Sequence, residues 1–118
     1  MQQLFWVGIG GAAGSILRYL GQRWLNMVHF PFGTFTVNIA GCLLIGILGG
    51  LFAKGSISDT SRLLLVTGFC GGFTTFSSFS AESVQMLTEN RWLSFAIYIS
   101  ASVAAGVLAT FAGYKLTS

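Results

Sequence analysis

Asn38, Thr34, Tyr98, Ser102, Phe76 and Phe79 are the side chains on which chemistry could be built, and all six lie in long uncharged runs. Thr34 and Asn38 stand four apart and so share a helix face. Ser94, Tyr98, Ser102 and Thr110 recur in multiples of four, a slowly drifting polar stripe on another helix. Phe76 and Phe79 are three apart, again on one face. Burying an amide in hydrocarbon without a partner is costly. The positive edge of an aromatic quadrupole can lie against an anion. Neutral donors and ring edges, with no fixed charge, suit a small anion that sheds its water gradually. Taken singly, each piece also has an ordinary reading, as interhelical hydrogen bonding or aromatic packing.

The same inventory argues against an enzyme. Serines and threonines are plentiful, but His29 is the only imidazole and has no acid beside it. A nucleophile needs a base and an orienting partner within reach. Asp59 and Glu89 fall in connecting stretches, and Glu82 borders an apolar run. Proton-coupled transporters usually carry a carboxylate within the membrane, and cation channels often show an acidic ring. Neither pattern occurs here. Cys42 and Cys70 sit in apolar runs and read as small packing residues. No basic cluster of the kind a nucleic-acid backbone requires is present.

The elements that must hold these residues are membrane helices. Of 118 residues, 53% are apolar and 8% charged, and the mean hydropathy is +0.76. Soluble domains carry about 25% charged residues, so the composition specifies an all-α integral membrane protein. Charges punctuate four uncharged runs, residues 1–17, 30–53, 63–81 and 92–114. A spanning helix needs about 20 apolar residues. The sequence therefore predicts four transmembrane helices, about 3–24, 30–53, 62–86 and 91–115, in a single domain over residues 1–118. The third run holds Gly68, Gly71 and Gly72 among phenylalanines and hydroxyls. Glycine weakens a helix interior by about 1 kcal/mol relative to alanine, and a break at Gly71-Gly72 is expected. At membrane depth, freed backbone groups are tolerated only where protein or a water-filled cavity satisfies them.

With four spans, Lys54, Arg62 and Lys115 fall on one side of the membrane and Arg18, Arg23 and Arg91 on the other. That balance gives the positive-inside rule nothing to act on. Either something else fixes the orientation or the protein inserts both ways. The balance and the small size of the chain favour insertion in both orientations, and with it an antiparallel dual-topology homodimer whose isologous interface builds any axial site twice from the same residues. Small residues suit close helix approach, among them Gly8, Gly10, Gly11 and Gly14 in the first span and Gly41, Gly46, Gly49 and Gly50 in the second.

The run Gly71-Gly72-Phe73-Thr74-Thr75-Phe76-Ser77-Ser78-Phe79-Ser80-Ala81-Glu82 resembles the signature of the Fluc (CrcB-type) fluoride channel family. Gly10-Gly11-Ala12-Ala13-Gly14 with Arg18-Tyr19 resembles that family's first span, residues 33–41 its second, and Tyr98 with Ser102 its fourth. The resemblance implies a passive fluoride-selective channel in the bacterial cytoplasmic membrane, with two pores per dimer. By matching position, Phe76 and Phe79 would face fluoride with their ring edges. Asn38 would be the pore's amide donor, and Tyr98, Ser102 and Thr34 would belong to its polar track. Gly106 stands where some members carry a further hydroxyl. Arg18 would sit at a vestibule and Glu82 near the other end of the path. A structural sodium ion on the dimer axis would be held by the backbone carbonyls of Gly71 and Thr74.

Two other readings fit less well. A small dual-topology multidrug exporter depends on a carboxylate in its first span, and residues 1–17 contain no acid. A purely structural assembly subunit would account for the glycines but not for Asn38, Phe76, Phe79 and the Tyr98 stripe occurring together.

Overall fold

A computed structural model describes residues 1–27 and 30–118; His29 lies outside the described residues. The chain folds into α1 (Gln2–Leu25), α2 (Phe32–Ala53), a short α3 (Asp59–Arg62) that continues as a π-helical stretch (Leu63–Cys70), α4 (Gly71–Phe73), α5 (Phe76–Thr88) and α6 (Trp92–Thr117). Among the described residues there is no strand.

The turns follow from local chemistry. At the end of α2, Gly55 adopts φ 74°, the Ser56 N–H donates to the Leu51 carbonyl at 2.9 Å, and the Gly55 N–H donates to Phe52 at 2.9 Å. This is a Schellman closure, in which glycine takes the left-handed position without steric cost. Asn90, with φ 59°, closes α5 the same way, through Arg91 N–H to the Met86 carbonyl at 2.8 Å and Asn90 N–H to Leu87 at 3.1 Å. Ser58 caps α3 by accepting from the Ser61 N–H at 3.1 Å.

Bare backbone does most of the packing. On α2, a Cβ at Gly46 would run into the Thr110 backbone, and one at Gly50 into Thr117; on α6, one at Gly113 would meet the Leu43 carbonyl. The Thr110 and Thr117 hydroxyls donate across this α2–α6 seam to the carbonyls of Cys42 at 3.0 Å and Ile47 at 2.8 Å. On the other side of the molecule, Gly10 and Gly14 of α1 press against the backbone of residues 64–73, and Gly72 against Gly11. Close approach by small residues is the usual way helices associate where water supplies no driving force. Many large apolar side chains are exposed on the outer faces, Leu93, Val107, Leu108 and Phe111 among them, while Leu48, Met86 and Tyr98 are buried. Among the described residues, three segments are long and apolar enough to cross a membrane: Phe32–Ala53, Asp59–Thr88 and Trp92–Thr117. Helix α1 has 24 residues but is not among them, because Gln2, Gln3, Arg18, Gln22 and Arg23 dilute its apolar run.

The third apolar segment is broken, but not at the glycines. Gly71 keeps helical angles, φ −62° and ψ −38°. Its N–H is shared between the Gly68 and Val66 carbonyls, the latter the i→i−5 pattern of a π turn. The chain becomes extended three residues after Gly71, at Thr74 (φ −84°, ψ 156°) and Thr75 (φ −147°, ψ 111°). Gly72 stays helical because its missing side chain serves contact with α1. The threonines take the break because each hydroxyl finds a local backbone partner. Thr74 Oγ1 donates to the Cys70 carbonyl at 2.8 Å, while Thr75 Oγ1 accepts from the Ser78 N–H at 3.1 Å and caps α5.

Candidate functional site

The break is held by Asn38 from the second turn of α2. Its Nδ2 donates to the Thr75 carbonyl at 3.1 Å, and its Oδ1 accepts from the Thr75 N–H at 2.7 Å. One side-chain amide thus satisfies both backbone groups of the residue that leaves the helix. In an unbroken helix that N–H would have bonded to the Gly71 carbonyl. The amide has two N–H donors, so one hydrogen remains beyond the pair with Thr75.

Beside this clamp lies a cavity of about 330 Å³, lined by Asn38, Thr74, Thr75, Phe76, Phe79 and Ser102 with apolar neighbours from α2 and α6. Four of the six pore residues expected from sequence therefore meet in one space. The Ser102 hydroxyl oxygen is buried and has no hydrogen-bond partner among the described residues. Phe76 and Phe79 lie with centroids 5.7 Å apart and planes tilted by 48°. Phe76 is 79% exposed. Phe79 leans against Tyr98 at 5.0 Å.

Thr34 and Tyr98, each 0% exposed, do not line that cavity. They converge on Glu82, one turn beyond Phe79. Thr34 Oγ1 donates to Glu82 Oε2 at 2.9 Å, and the Tyr98 hydroxyl donates to Oε1 at 2.9 Å. Asn26 Nδ2 adds a third donor at 3.3 Å. A carboxylate is acceptor-only and takes several donors readily. Glu82 thereby joins α1, α2, α5 and α6 at one point, bordering a cavity of about 350 Å³ that also involves Asn26, Phe30 and Arg91.

Gln22 and Asn26 belong to this network, and sequence reasoning passed over them. Gln22 accepts from Arg18 Nη1 at 3.1 Å and donates to Thr34 Oγ1 at 3.0 Å, while Asn26 Oδ1 accepts the Thr34 N–H at 3.0 Å. Their signal was present: Arg18, Gln22 and Asn26 repeat every four residues and form one polar stripe. Arg18 itself turns inward, its Nε donating to the Gly72 carbonyl at 3.1 Å. Together with Gly71, Gly72, Thr74 and Ser78 it lines a polar cavity of about 320 Å³. The two residues expected to offer carbonyls to sodium thus border one space. Among the described residues no three His, Cys, Asp or Glu side chains gather as a metal cluster.

Apolar helices, a clamped helix break and a cavity of neutral donors and phenyl rings define a multi-pass, all-helical membrane protein. The chain belongs to the CrcB family: the model for "CrcB-like protein, Camphor Resistance (CrcB)" matches residues 5–114. A relative from Flavobacterium psychrophilum is 45% identical over 96% of this chain and 94% of its own length. One from Rhodococcus jostii is 48% identical over 95% of this chain and 96% of its own length. One from Azobacteroides pseudotrichonymphae is 40% identical over 99% and 97%. The first and third bear the name "Fluoride-specific ion channel FluC", and the second "Fluoride-specific ion channel FluC 2".

Proposed function

We propose that this protein is a fluoride-selective channel, not an enzyme, that lets fluoride leave the cell passively across the cytoplasmic membrane and so limits fluoride toxicity. The observation that carries the reading is the meeting of Asn38, Phe76, Phe79 and Ser102 in one cavity at the helix break. Fluoride is compact and strongly hydrated, so stripping its water costs more than stripping chloride's. A narrow path favours it only by returning hydrogen bonds that fit the smaller ion. The unpaired Ser102 hydroxyl and the second amide hydrogen of Asn38 supply donors, and the edges of Phe76 and Phe79 supply weaker contacts. Weak successive sites also permit release. Tyr98, Thr34 and Glu82 continue the polar path, and Arg18, joined to Thr34 through Gln22, adds a positive field on the same side and not at the opposite end from Glu82.

The working unit in this reading is an antiparallel homodimer inserted in both orientations, with α1 as the first of four spans and lipid around its outer faces. The even division of Lys54, Arg62 and Lys115 against Arg18, Arg23 and Arg91 supports it. So does Phe76, whose 79% exposure leaves its ring available to a second copy. A sodium ion at the dimer centre fits the chemistry of neutral carbonyl oxygens freed at a break. The Gly71 carbonyl is a suitable ligand because the Thr75 N–H pairs with Asn38 instead. Thr74, extended at the break, is the second residue whose carbonyl is assigned to the ion.

Expression in a bacterial strain lacking its own fluoride exporter tests the function. The intact chain should restore growth in millimolar fluoride, and a Phe79→Ile chain present in the membrane at equal level should not. Equal failure of both would remove the reading.

A further inference from the structure

The Gly72 carbonyl loses its helical partner at the break. In a continuous helix it would accept from the N–H of Phe76. Extended backbone at Thr74 and Thr75 removes that register, and a carbonyl freed in a part-buried place needs another donor. Arg18 Nε supplies one at 3.1 Å. The approach is built in, because Gly11, Ser15 and Arg18 follow one face of α1. A Cβ at Gly72 would lie 3.0 Å from Ser15 Oγ and closer still to the Gly11 carbonyl. Bare backbone at Gly72 lets α4 sit against α1, which brings its carbonyl within reach of the guanidinium. Gln22 then fixes the fork by accepting Nη1 at 3.1 Å, and is itself tied to Thr34.

We propose that Arg18 is a positioning residue: its guanidinium Nε–H caps the Gly72 carbonyl released by the break and so fixes where α5 begins, and with it Phe76 and Phe79. Asn38 holds the break from α2 and Arg18 holds it from α1. The cap uses the planar donor fork at position 18 and is separate from the field of the positive charge. Arginine's rigid fork can serve a carbonyl and Gln22 at once, which a lysine ammonium on its flexible stem cannot reproduce in the same geometry. The consequence for ion flow rests on the channel reading, but the cap itself does not.

Charge and donor can be separated. Arg18→citrulline, accessible by chemical ligation of this short chain, keeps the Nε–H and the planar shape while losing the charge; Arg18→Met loses both. Amide hydrogen exchange over residues 74–78 reads the cap directly, and fluoride efflux from liposomes reads its consequence. Loss of a hydrogen bond to a charged group corresponds to a change of about tenfold or more in local opening. Arg18→Met should accelerate exchange over 74–78 by about that factor and slow efflux, while citrulline should return exchange toward the parental value; any efflux the citrulline protein still lacks then belongs to the lost charge. Unchanged exchange in Arg18→Met, or exchange in the citrulline protein as fast as in the methionine one, overturns the proposal. If Arg18→Met does not fold, the citrulline protein decides alone: parental exchange supports the cap, and accelerated exchange refutes it. A parental protein that passes no fluoride would sink the channel reading while the exchange data still judge the cap.

Discussion

Replacing Asn38 by alanine removes two bonds at once, the 3.1 Å donation to the Thr75 carbonyl and the 2.7 Å acceptance from its N–H. Each part-buried backbone group left without a partner costs about 1–3 kcal/mol. The neighbouring cavity of about 330 Å³ has room for water to replace part of the loss. The lower half of the range is therefore appropriate, about 2–4 kcal/mol for the pair. Unfolding in mixed micelles with increasing SDS measures it. Asn38→Asp refines the test, because it keeps an acceptor for the Thr75 N–H but sets an oxygen against the carbonyl. It should also lose stability, and it places a negative charge beside the proposed anion path. If Asn38→Ala costs under about 0.5 kcal/mol, less than a typical net hydrogen bond, Asn38 is no clamp and any loss of flux belongs to ion contact alone.

Phe76→Ile and Phe79→Ile should each raise the barrier to fluoride by about 1.4 kcal/mol, a tenfold slower efflux, with dimer elution unchanged; parental rates in both would remove the ring-edge contribution. Tyr98→Phe deletes one donor to Glu82 and should cost about 1.5–3 kcal/mol in SDS unfolding. In a double-mutant cycle with Thr34→Val the coupling should exceed about 0.5 kcal/mol, since both hydroxyls share one carboxylate; strict additivity would mean that the Glu82 junction does not act as a unit. Gly46→Val drives a side chain into the Thr110 backbone and should cost about 3 kcal/mol or more. Gly8→Ala meets nothing within 4 Å and should be neutral, or stabilising by up to about 1 kcal/mol through helix propensity.

Much of this was legible in the sequence because the signals are local or periodic. The turn at Gly55 and the one before Arg91 both stand where charge and turn residues interrupt apolar runs. The face shared by Phe76 and Phe79 is a consequence of spacing alone. The break was displaced because glycine's low helix propensity was weighed without its packing. Gly72 is wanted against Gly11, and Thr75, with Ser78 three residues on, carries the cap that starts a new helix. Thr34 and Tyr98 were placed with the pore donors, whereas their hydroxyls are committed to Glu82. That distinction depends on contacts between residues 48 and 16 positions apart, which spacing within one helix does not reveal. The inward turn of Arg18 was equally hidden, since its partner is a backbone carbonyl 54 residues away.

The most direct measurement of the central claim is anion efflux from liposomes holding the purified protein, followed with a fluoride electrode and repeated with chloride. Rapid fluoride release at neutral pH without an imposed proton gradient, and no release of chloride, is the predicted result. Release of fluoride only when a proton gradient is imposed would contradict passive flow and require a proton site. Release of neither ion from demonstrably dimeric protein would contradict the channel itself.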